Sequence, residues 1–334
     1  MALILLLSGI AALAGGCSHP RHAVADRPVP VLNTPDFRSV FGGIDGKTLA
    51  LDQCGQILAL EFIALPGTAF QIEDSITTFP FPVYRVTSSD YPYPSESGYY
   101  VDSRMVRTTC SPPAPRKRTL PDPELIVARL ASAVGTPYQW GSNLRQGIPE
   151  MSSLYPPAPD QQRANSTQNS WTLRGLDCSG LLYEATAGWT PRNTSELVQY
   201  GSPVPIAVFD ADGIIQRVQP LDLIVWKGHV MIILNRELLI ESRLDCQGTA
   251  GGVTIRNLRE ALRQLLASRM PLNEYERNDP AAPKGFVIRR WHPEVRPASG
   301  VGPESSSAEP AKNEYNRIKM NSQKVVIPAK AGIH

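Results

Sequence analysis

The chain has 334 residues, of which 42% are hydrophobic and 19% are charged, and its formal net charge is +2. This length suffices for two folded domains, and the composition is that of an ordinary globular protein. Because Lys and Arg are spread along the chain, the charge pattern gives no support to nucleic acid as a partner. The one tight basic run, residues 116–118, lies in a proline-rich segment and is interpreted as a solvated linker.

Residues 1–17, MALILLLSGIAALAGGC, form an apolar run that ends in small residues. The run is too short to predict a membrane-spanning helix. The small residues before Cys17 resemble a bacterial lipoprotein cleavage site, which implies removal of the signal peptide and lipidation of Cys17. Ser18 at the next position then indicates an outer-membrane lipoprotein, exported to the periplasm or cell envelope. Ordinary signal cleavage and a buried helix remain the alternatives.

Export changes the interpretation of the cysteines, because an oxidising compartment permits disulfides. Of the five cysteines, Cys54 and Cys110 flank a β-rich segment and could pair once Cys17 is set aside. A bridge between Cys178 and Cys246 is the other possibility, and it would leave Cys178 without a reactive thiol.

The first half of the chain predicts a tether followed by a small β domain. Residues 18–36 are polar and contain prolines, which is typical of a tether. Residues 37–110 contain five short β-type runs separated by Gly, Pro, Ser and Asp turns, a pattern that predicts a small barrel. The closing run, GYYVDSRMV, is similar to bacterial SH3-like domains that precede cell-wall enzymes. This resemblance implies a module that binds or positions and does not catalyse.

A second domain follows a linker at 111–121 and is predicted to cover residues 122–293. Asp122 is expected to cap its first helix. Within this domain, the proline-bearing insertion 142–176 is long enough to be a lid, a cleft wall or a disordered loop. The polar tail at 294–334 is predicted to be disordered.

The stretch DCSGLLY, residues 177–183, predicts a helix that begins with a cysteine. Asp177 is a typical N-cap, which would put Cys178 in the first turn, at the positive end of the helix dipole. That position favours the thiolate, the form of cysteine that attacks carbonyl carbon. The alternative is a buried and inert thiol.

Five motifs in one domain resemble the NlpC/P60 family of bacterial cell-wall cysteine peptidases. In chain order they are PYQWG (137–141), DCSGLLYEA (177–185), TPRNTSELVQYG (190–201), PLDLIVWKGHVMIIL (220–234) and LLIES (238–242). The resemblance implies an α+β fold, with a papain-like NlpC/P60 catalytic domain preceded by a small all-β SH3-like barrel.

The resemblance also implies Cys178 as nucleophile and His229 as its general base. The residues agree, because His229 is the only one of the five histidines embedded in a folded apolar pattern. The family's third catalytic position falls on Glu241, which shares a strand face with Leu239 and is expected to orient the imidazole. Ser242 or an asparagine remains an alternative for this role.

Three further residues are implied in substrate binding. Tyr138 matches a family tyrosine that faces the nucleophile and would bind the substrate carbonyl or the oxyanion. Asp177 and Ser179 would help bind the free amine of a peptide stem. A helix cap alone is the competing interpretation of Asp177, and the two roles are compatible. Arg192 matches a motif position that is interpreted as structural.

The sequence therefore predicts a peptidoglycan hydrolase without a metal or cofactor. No CxxC pair, HExxH motif or nucleotide-binding glycine loop occurs. The expected enzyme is a cysteine endopeptidase that cleaves peptide stems through a thioester, and the resemblance points to the bond between γ-D-glutamate and the diamino acid. An inactive cell-wall-binding protein and an amide or acyl transferase on the same core are the alternatives.

Overall fold

A computed structural model describes residues 20–43, 45–159, 165–247, 251–275 and 284–292. The predicted signal peptide with Cys17 and the predicted disordered tail at 294–334 lie outside these residues. In the described part of the chain, no helix has the length and apolar character needed to span a membrane.

The described residues form a mixed α/β structure with several antiparallel sheets. The strands, in chain order, are β1 (His22–Val24), β2 (Val29–Leu32), β3 (Phe41–Gly42), β4 (Thr48–Leu49), β5 (Leu60–Ala64), β6 (Ala69–Ile76), β7 (Val83–Thr87), β8 (Tyr99–Asp102), β9 (Arg107–Thr109), β10 (Asn143–Leu144), β11 (Gly175–Leu176), β12 (Ser202–Val204), β13 (Leu223–Trp226), β14 (His229–Ile233), β15 (Leu238–Arg243), β16 (Gly252–Asn257), β17 (Met270–Pro271) and β18 (Gly285–Arg290). The helices are α1 (Phe37–Val40), α2 (Pro123–Ser132), α3 (Met151–Leu154), α4 (Asn165–Trp171), α5 (Cys178–Ala185), α6 (Thr194–Leu197), α7 (Ala211–Ile215) and α8 (Leu258–Leu266).

The N-terminal domain is built on a sheet with the order β5-β2-β8-β7-β6-β1-β9. Strands β1 and β2 come from residues 18–36, so the prediction of a tether there is wrong. The physical reason is that every residue of β2 is buried, and β2 pairs with β5 and β8. The strand order has two ends, β5 and β9, and closure into an SH3-like barrel remains a prediction.

The second domain is built on a sheet with the order β12-β18-β13-β14-β15-β16, and β17 pairs with β18. Both faces of this sheet are covered by helices. On β14, Val230 and Ile232 pack in one core cluster with residues of α2 and α5. Met231 and Ile233 pack in another cluster with residues of α7 and α8. This alternation follows from the two-residue period of a strand. It directs His229, the first residue of β14, to the same face of the sheet as Met231 and Ile233.

The insertion 142–176 is a packed connection between the domains in its described part. Met151 and Tyr155 belong to the same core cluster as the N-terminal sheet. The Tyr155 hydroxyl donates to Asp102 Oδ2 at 2.6 Å, and Trp171 Nε1 donates to the Tyr155 carbonyl oxygen at 2.6 Å. The expectation of a lid or a disordered loop therefore does not fit these residues, because their aromatic side chains are buried against the other domain.

The basic run at 116–118 is also packed, which corrects its interpretation as a solvated linker. The Arg116 side chain is only 8% exposed, and its Nε lies 2.7 Å from Asp90 Oδ2. Arg118 Nη2 lies 2.7 Å from the other carboxylate oxygen of Asp90. Arg116 also donates to the carbonyl oxygen of Gly188 at 3.0 Å, so it joins the two domains. A buried carboxylate requires such charged partners, which explains why this segment docks.

A disulfide joins Cys54 of the N-terminal domain to Cys246 of the second domain. Cys178 is a free cysteine. Both pairings considered from the sequence, Cys54 with Cys110 and Cys178 with Cys246, are therefore wrong. The consequence for chemistry is that the Cys178 thiol is not consumed by a bridge.

Candidate active site

Cys178 is the first residue of α5, and Asp177 is its N-cap. The Asp177 carboxylate accepts a hydrogen bond from the Gly180 backbone N–H at 2.6 Å. The helix start packs closely on the segment before β10, since a Cβ at Gly180 would lie 2.1 Å from the Ser142 carbonyl oxygen. The sequence DCSG thus fixes both the cap and the close approach that hold Cys178 in place.

The Cys178 sulfur lies beside the backbone of β14. The thiol is 3.9 Å from the Gly228 carbonyl oxygen. The backbone N–H of Val230 also points at the sulfur. Since Gly228 and Val230 are the two neighbours of His229, the sulfur sits against the main chain on both sides of the histidine.

Burial raises the pKa of the Cys178 thiol to about 12, and the nearby Asp177 carboxylate acts in the same direction. The Arg192 guanidinium and the backbone N–H groups of Val230 and Ser179 oppose this shift without offsetting it. The helix-dipole argument predicted the opposite direction, and the structure corrects it because desolvation of a buried thiolate dominates. The resting thiol is therefore neutral near pH 7 and needs a base when it reacts.

His229 and Glu241 form a hydrogen-bonded pair. His229 Nε2 lies 2.6 Å from Glu241 Oε2. Arg256 Nη1 lies 2.5 Å from the other carboxylate oxygen. Burial alone would raise the pKa of Glu241, which is 1% exposed, but the bonds from His229 and Arg256 outweigh it and the pKa is lowered. The ionised carboxylate can only accept, so Nε2 is the donor and Nδ1 is left as the second ring nitrogen for proton exchange.

Strand register explains why these two side chains meet. Ile232 pairs with Ile240 across β14 and β15. Extending this register places Glu241 opposite Met231, diagonal to His229 on the same face, within reach of a long side chain. The alternative orienting residue, Ser242, points elsewhere and donates to the Leu176 carbonyl oxygen at 2.7 Å.

Tyr138 lies close enough to Asp177 and Cys178 to interact with them electrostatically. Burial raises its pKa above its usual value, and the nearby Asp177 and Cys178 raise it further. The phenol therefore stays protonated at any physiological pH and is able to donate a hydrogen bond.

Arg192, which the sequence analysis interprets as structural, is a buried partner of two candidate substrate-binding residues. It is 3% exposed. Its Nη2 lies 2.5 Å from Asp177 Oδ2, and its Nη1 donates to Ser179 Oγ at 2.8 Å. Nε donates to Asn143 Oδ1 at 3.1 Å. The two candidate amine-binding residues, Asp177 and Ser179, thus already share a buried cation. Only the position of Arg192 within a motif pointed to it, because its partners come from distant parts of the chain.

The N-terminal domain packs directly against this cluster. The Asn143 side chain accepts from the Ile63 N–H and donates to the Ile63 carbonyl oxygen, both at 2.9 Å, and so pairs with β5. The Tyr93 hydroxyl accepts from the Asn193 backbone N–H at 3.0 Å. The Cys178 side of the site is therefore bounded by the N-terminal domain.

A cavity of about 520 Å³ opens beside His229. Its walls include three aromatic side chains, one carboxylate and three guanidinium groups. These belong to Tyr138, Trp140 and Trp226, to Glu241, and to Arg243, Arg256 and Arg269. Within the described residues, no group of three or more His, Cys, Asp or Glu side chains is arranged to hold a metal ion.

The structure thus places a free thiol at a helix N-terminus near a strand that carries an imidazole, and a buried carboxylate bonds that imidazole. The described residues show no hydrogen bond between the thiol and the imidazole ring. No family model matches the chain, and no curated protein matches it. Among solved structures, the chain is similar to NlpC2 from Trichomonas vaginalis, with 12% identity, coverage of 82% of this chain and 73% of that chain, and a TM-score of 0.29.

Proposed function

We propose that the protein is a cysteine endopeptidase that hydrolyses peptide stems of peptidoglycan. One observation carries the proposal: the free Cys178 sulfur lies 3.9 Å from the carbonyl oxygen of Gly228, the residue before His229, and the His229 ring bonds Glu241 at 2.6 Å. The five motifs that resemble the NlpC/P60 family support the choice of substrate, including the bond between γ-D-glutamate and the diamino acid.

Acylation begins with the neutral thiol. His229 takes the Cys178 proton as the sulfur attacks the scissile carbonyl, and a carbon–sulfur bond forms. The imidazolium is stabilised by the ionised Glu241. Collapse of the tetrahedral intermediate breaks the carbon–nitrogen bond, and His229 gives its proton to the leaving amine. Because burial raises the thiol pKa, proton removal and attack belong to one base-assisted step.

The oxyanion requires donors on the face opposite the imidazole. The Cys178 backbone N–H belongs to the first turn of α5, where N–H groups have no partner within the helix. The Tyr138 phenol, held protonated by its raised pKa, supplies a second donor. Water then attacks the thioester with His229 as base, releasing the carboxylate product and regenerating the thiol.

The acyl part of the substrate lies on the side bounded by the N-terminal domain. In this proposal Asp177 and Ser179 bind the free amine of the stem. Asp177 Oδ2 accepts one bond from Arg192, and a carboxylate oxygen is able to accept a second. The docked N-terminal domain closes this end of the site and restricts the enzyme to short, already trimmed stems.

Export with a lipid anchor at Cys17 completes the proposal. The disulfide between Cys54 and Cys246 supports it, since such bridges persist in oxidising compartments such as the periplasm. Localisation by membrane fractionation, with Cys17→Ser as the comparison, tests the anchor.

The test of the activity is digestion of purified muropeptides by the wild type and by Cys178→Ala. We expect cleavage products from the wild type only, identified by mass spectrometry. Thermal unfolding of both proteins serves as the control, because removing one buried sulfur should leave the fold intact. Undiminished cleavage by Cys178→Ala would remove the nucleophile assignment. Adding a nucleophilic amine separates hydrolysis from transfer, and transferred products would favour the transferase alternative.

A further inference from the structure

A second cation lies on the carboxylate that bonds His229. Glu241 Oε2 bonds His229 Nε2, and Arg256 Nη1 lies 2.5 Å from Glu241 Oε1. The Glu241 side chain is 1% exposed and the Arg256 side chain is 23% exposed, so water and salt screen these charges only weakly. One buried carboxylate is therefore shared between a permanent cation and an imidazole whose charge can change.

Strand pairing and the following helix fix the position of Arg256. Across β15 and β16, Leu239 pairs with Arg256. Glu241 lies two residues further along β15, so it is a diagonal neighbour of Arg256 on the same face of the sheet. Arg256 Nη2 donates to Gln264 Oε1 on α8 at 2.6 Å, and Gln264 Nε2 donates to Glu260 Oε1 at 2.9 Å. The guanidinium is thus held between a strand and a helix, with one edge on Glu241.

The protonation state of the thiol determines which state of the imidazole is useful at rest. Burial raises the pKa of the Cys178 thiol to about 12, so the thiol stays neutral until a base removes its proton. An imidazole can take that proton only while it is itself neutral. A buried carboxylate with no other cation beside it would attract a second proton to its histidine partner. The resulting imidazolium could not act as a base.

Other ionisable groups surround the imidazole, but in the described part of the chain none of them is hydrogen-bonded to His229 or Glu241. They are the Cys178 thiol on α5, the Tyr138 phenol and the guanidinium groups of Arg243 and Arg269. Raised pKa values keep the thiol and the phenol uncharged near pH 7. Arg243 is exposed, and Arg269 lies over the Trp226 ring and donates to the Gly285 carbonyl oxygen at 3.5 Å. Arg256 is the cation in direct contact with the carboxylate.

We propose that Arg256 is a positioning residue that acts through Glu241. Its charge keeps Glu241 ionised as the acceptor for His229 Nε2. Through the shared carboxylate, the same charge opposes a second proton on the imidazole. His229 thus remains a base for the neutral Cys178 thiol at a lower pH than it would beside Glu241 alone. This inference rests on the proposed function and adds a fourth residue to the site.

The test is the pH dependence of kcat/KM for cleavage of a purified muropeptide with a tripeptide stem. Arg256→Gln should displace the acid limb of this profile upward by about 1 pH unit, because a charge within a few ångströms changes proton affinity by about that much or more. At a pH on this limb kcat/KM should fall about tenfold, and on the alkaline plateau it should approach the wild-type value. Arg256→Lys retains the charge and should keep most of the wild-type profile.

Arg290→Gln is the matched control. Arg290 pairs with the buried carboxylate of Asp222 at 2.7 Å on the same sheet, and its removal should leave the acid limb in place. A purely structural role of Arg256 would lower kcat/KM evenly at every pH, and an unmoved acid limb in Arg256→Gln would overturn the proposal. If thermal unfolding shows that Arg256→Gln does not fold, Arg256→Lys decides, because a limb displaced as far as about 1 pH unit despite the retained charge would refute the proposal.

A titration of the His229 ring by nuclear magnetic resonance, in Cys178→Ala protein, gives a readout that needs no catalysis. Adding Arg256→Gln to this background should move the midpoint of imidazole protonation upward by about 1 pH unit. If the wild type cleaves no muropeptide while this midpoint moves, the proposed function fails and the coupling through Glu241 stands. If the wild type cleaves but neither the midpoint nor the acid limb moves, the role of Arg256 is refuted and the peptidase proposal stands.

Discussion

Replacing Glu241 by Gln keeps the shape of the side chain and removes its charge. Glu241 accepts from His229 Nε2 through one oxygen and from Arg256 Nη1 through the other. An amide offers one acceptor oxygen and one NH₂ donor, so one of these two donors must face another donor. We expect kcat to fall by roughly 10²- to 10⁴-fold, the scale seen when the orienting carboxylate of a triad is neutralised, with a smaller change in KM.

The stability change follows from the same contacts. One charge-assisted hydrogen bond is lost, which costs roughly 1.5–3 kcal/mol. The lower half of that range is expected, because Arg256 is 23% exposed and water partly replaces its partner. Since the folded-state pKa of Glu241 is lowered from 4.5, its stabilisation is present above that pH and is lost as pH falls through the folded pKa. The stability gap between the wild type and Glu241→Gln should therefore shrink below about pH 4.5.

Asp222→Asn provides a matched control. Asp222 is a buried carboxylate that pairs with Arg290 at 2.7 Å, away from His229. Its replacement should lower the free energy of unfolding in urea by a similar amount. The kcat of the folded variant should stay within about twofold of the wild-type value, which corresponds to less than about 1 kcal/mol of activation free energy. If Glu241→Gln retains the wild-type kcat, or if both variants lose activity alike, the idea that Glu241 orients the imidazole is refuted.

Three further outcomes are expected. The rate of alkylation of Cys178 by iodoacetamide should increase with pH up to the alkaline limit of the assay, because the pKa of the thiol is raised to about 12. A rate that is constant between pH 5 and 7 would instead indicate a resting thiolate. Cys54→Ser should lower the free energy of unfolding by about 2–5 kcal/mol, because the disulfide that it removes joins two residues separated by 192 positions in the chain. An unchanged midpoint of urea unfolding would contradict this. Gly180→Ala should abolish activity and destabilise the fold by more than about 2 kcal/mol, because the added Cβ would lie 2.1 Å from the Ser142 carbonyl oxygen. A variant with wild-type activity and melting temperature would show that the backbone shifts to admit the Cβ at little cost.

Local patterns were readable from the sequence because they depend on neighbouring residues. The helix at Cys178 begins where the capping residue Asp177 predicts it, and β14 covers the apolar pattern in which His229 is embedded. The start of α2 after Asp122 follows from Pro123 in the first turn. These features involve short-range rules of capping and periodicity.

Features that depend on distant partners were not readable in this way. The segment predicted as a tether becomes two strands only because β2 finds β5 and β8, and the basic run at 116–118 docks only because Asp90 is buried near it. The partner of Cys54 was misassigned for the same reason, since pairing is decided by the spatial approach of two domains.

The sequence by itself determined where a thiol, an imidazole and a carboxylate stand on a helix start and two strands, because those positions follow from local period and capping. Only the tertiary structure decided their chemical state and surroundings. Burial, a property of the whole packed chain, raises the thiol pKa that the helix start alone would lower. Packing likewise paired Arg192 with Asp177, the residue before Cys178, and gathered three arginines beside the histidine.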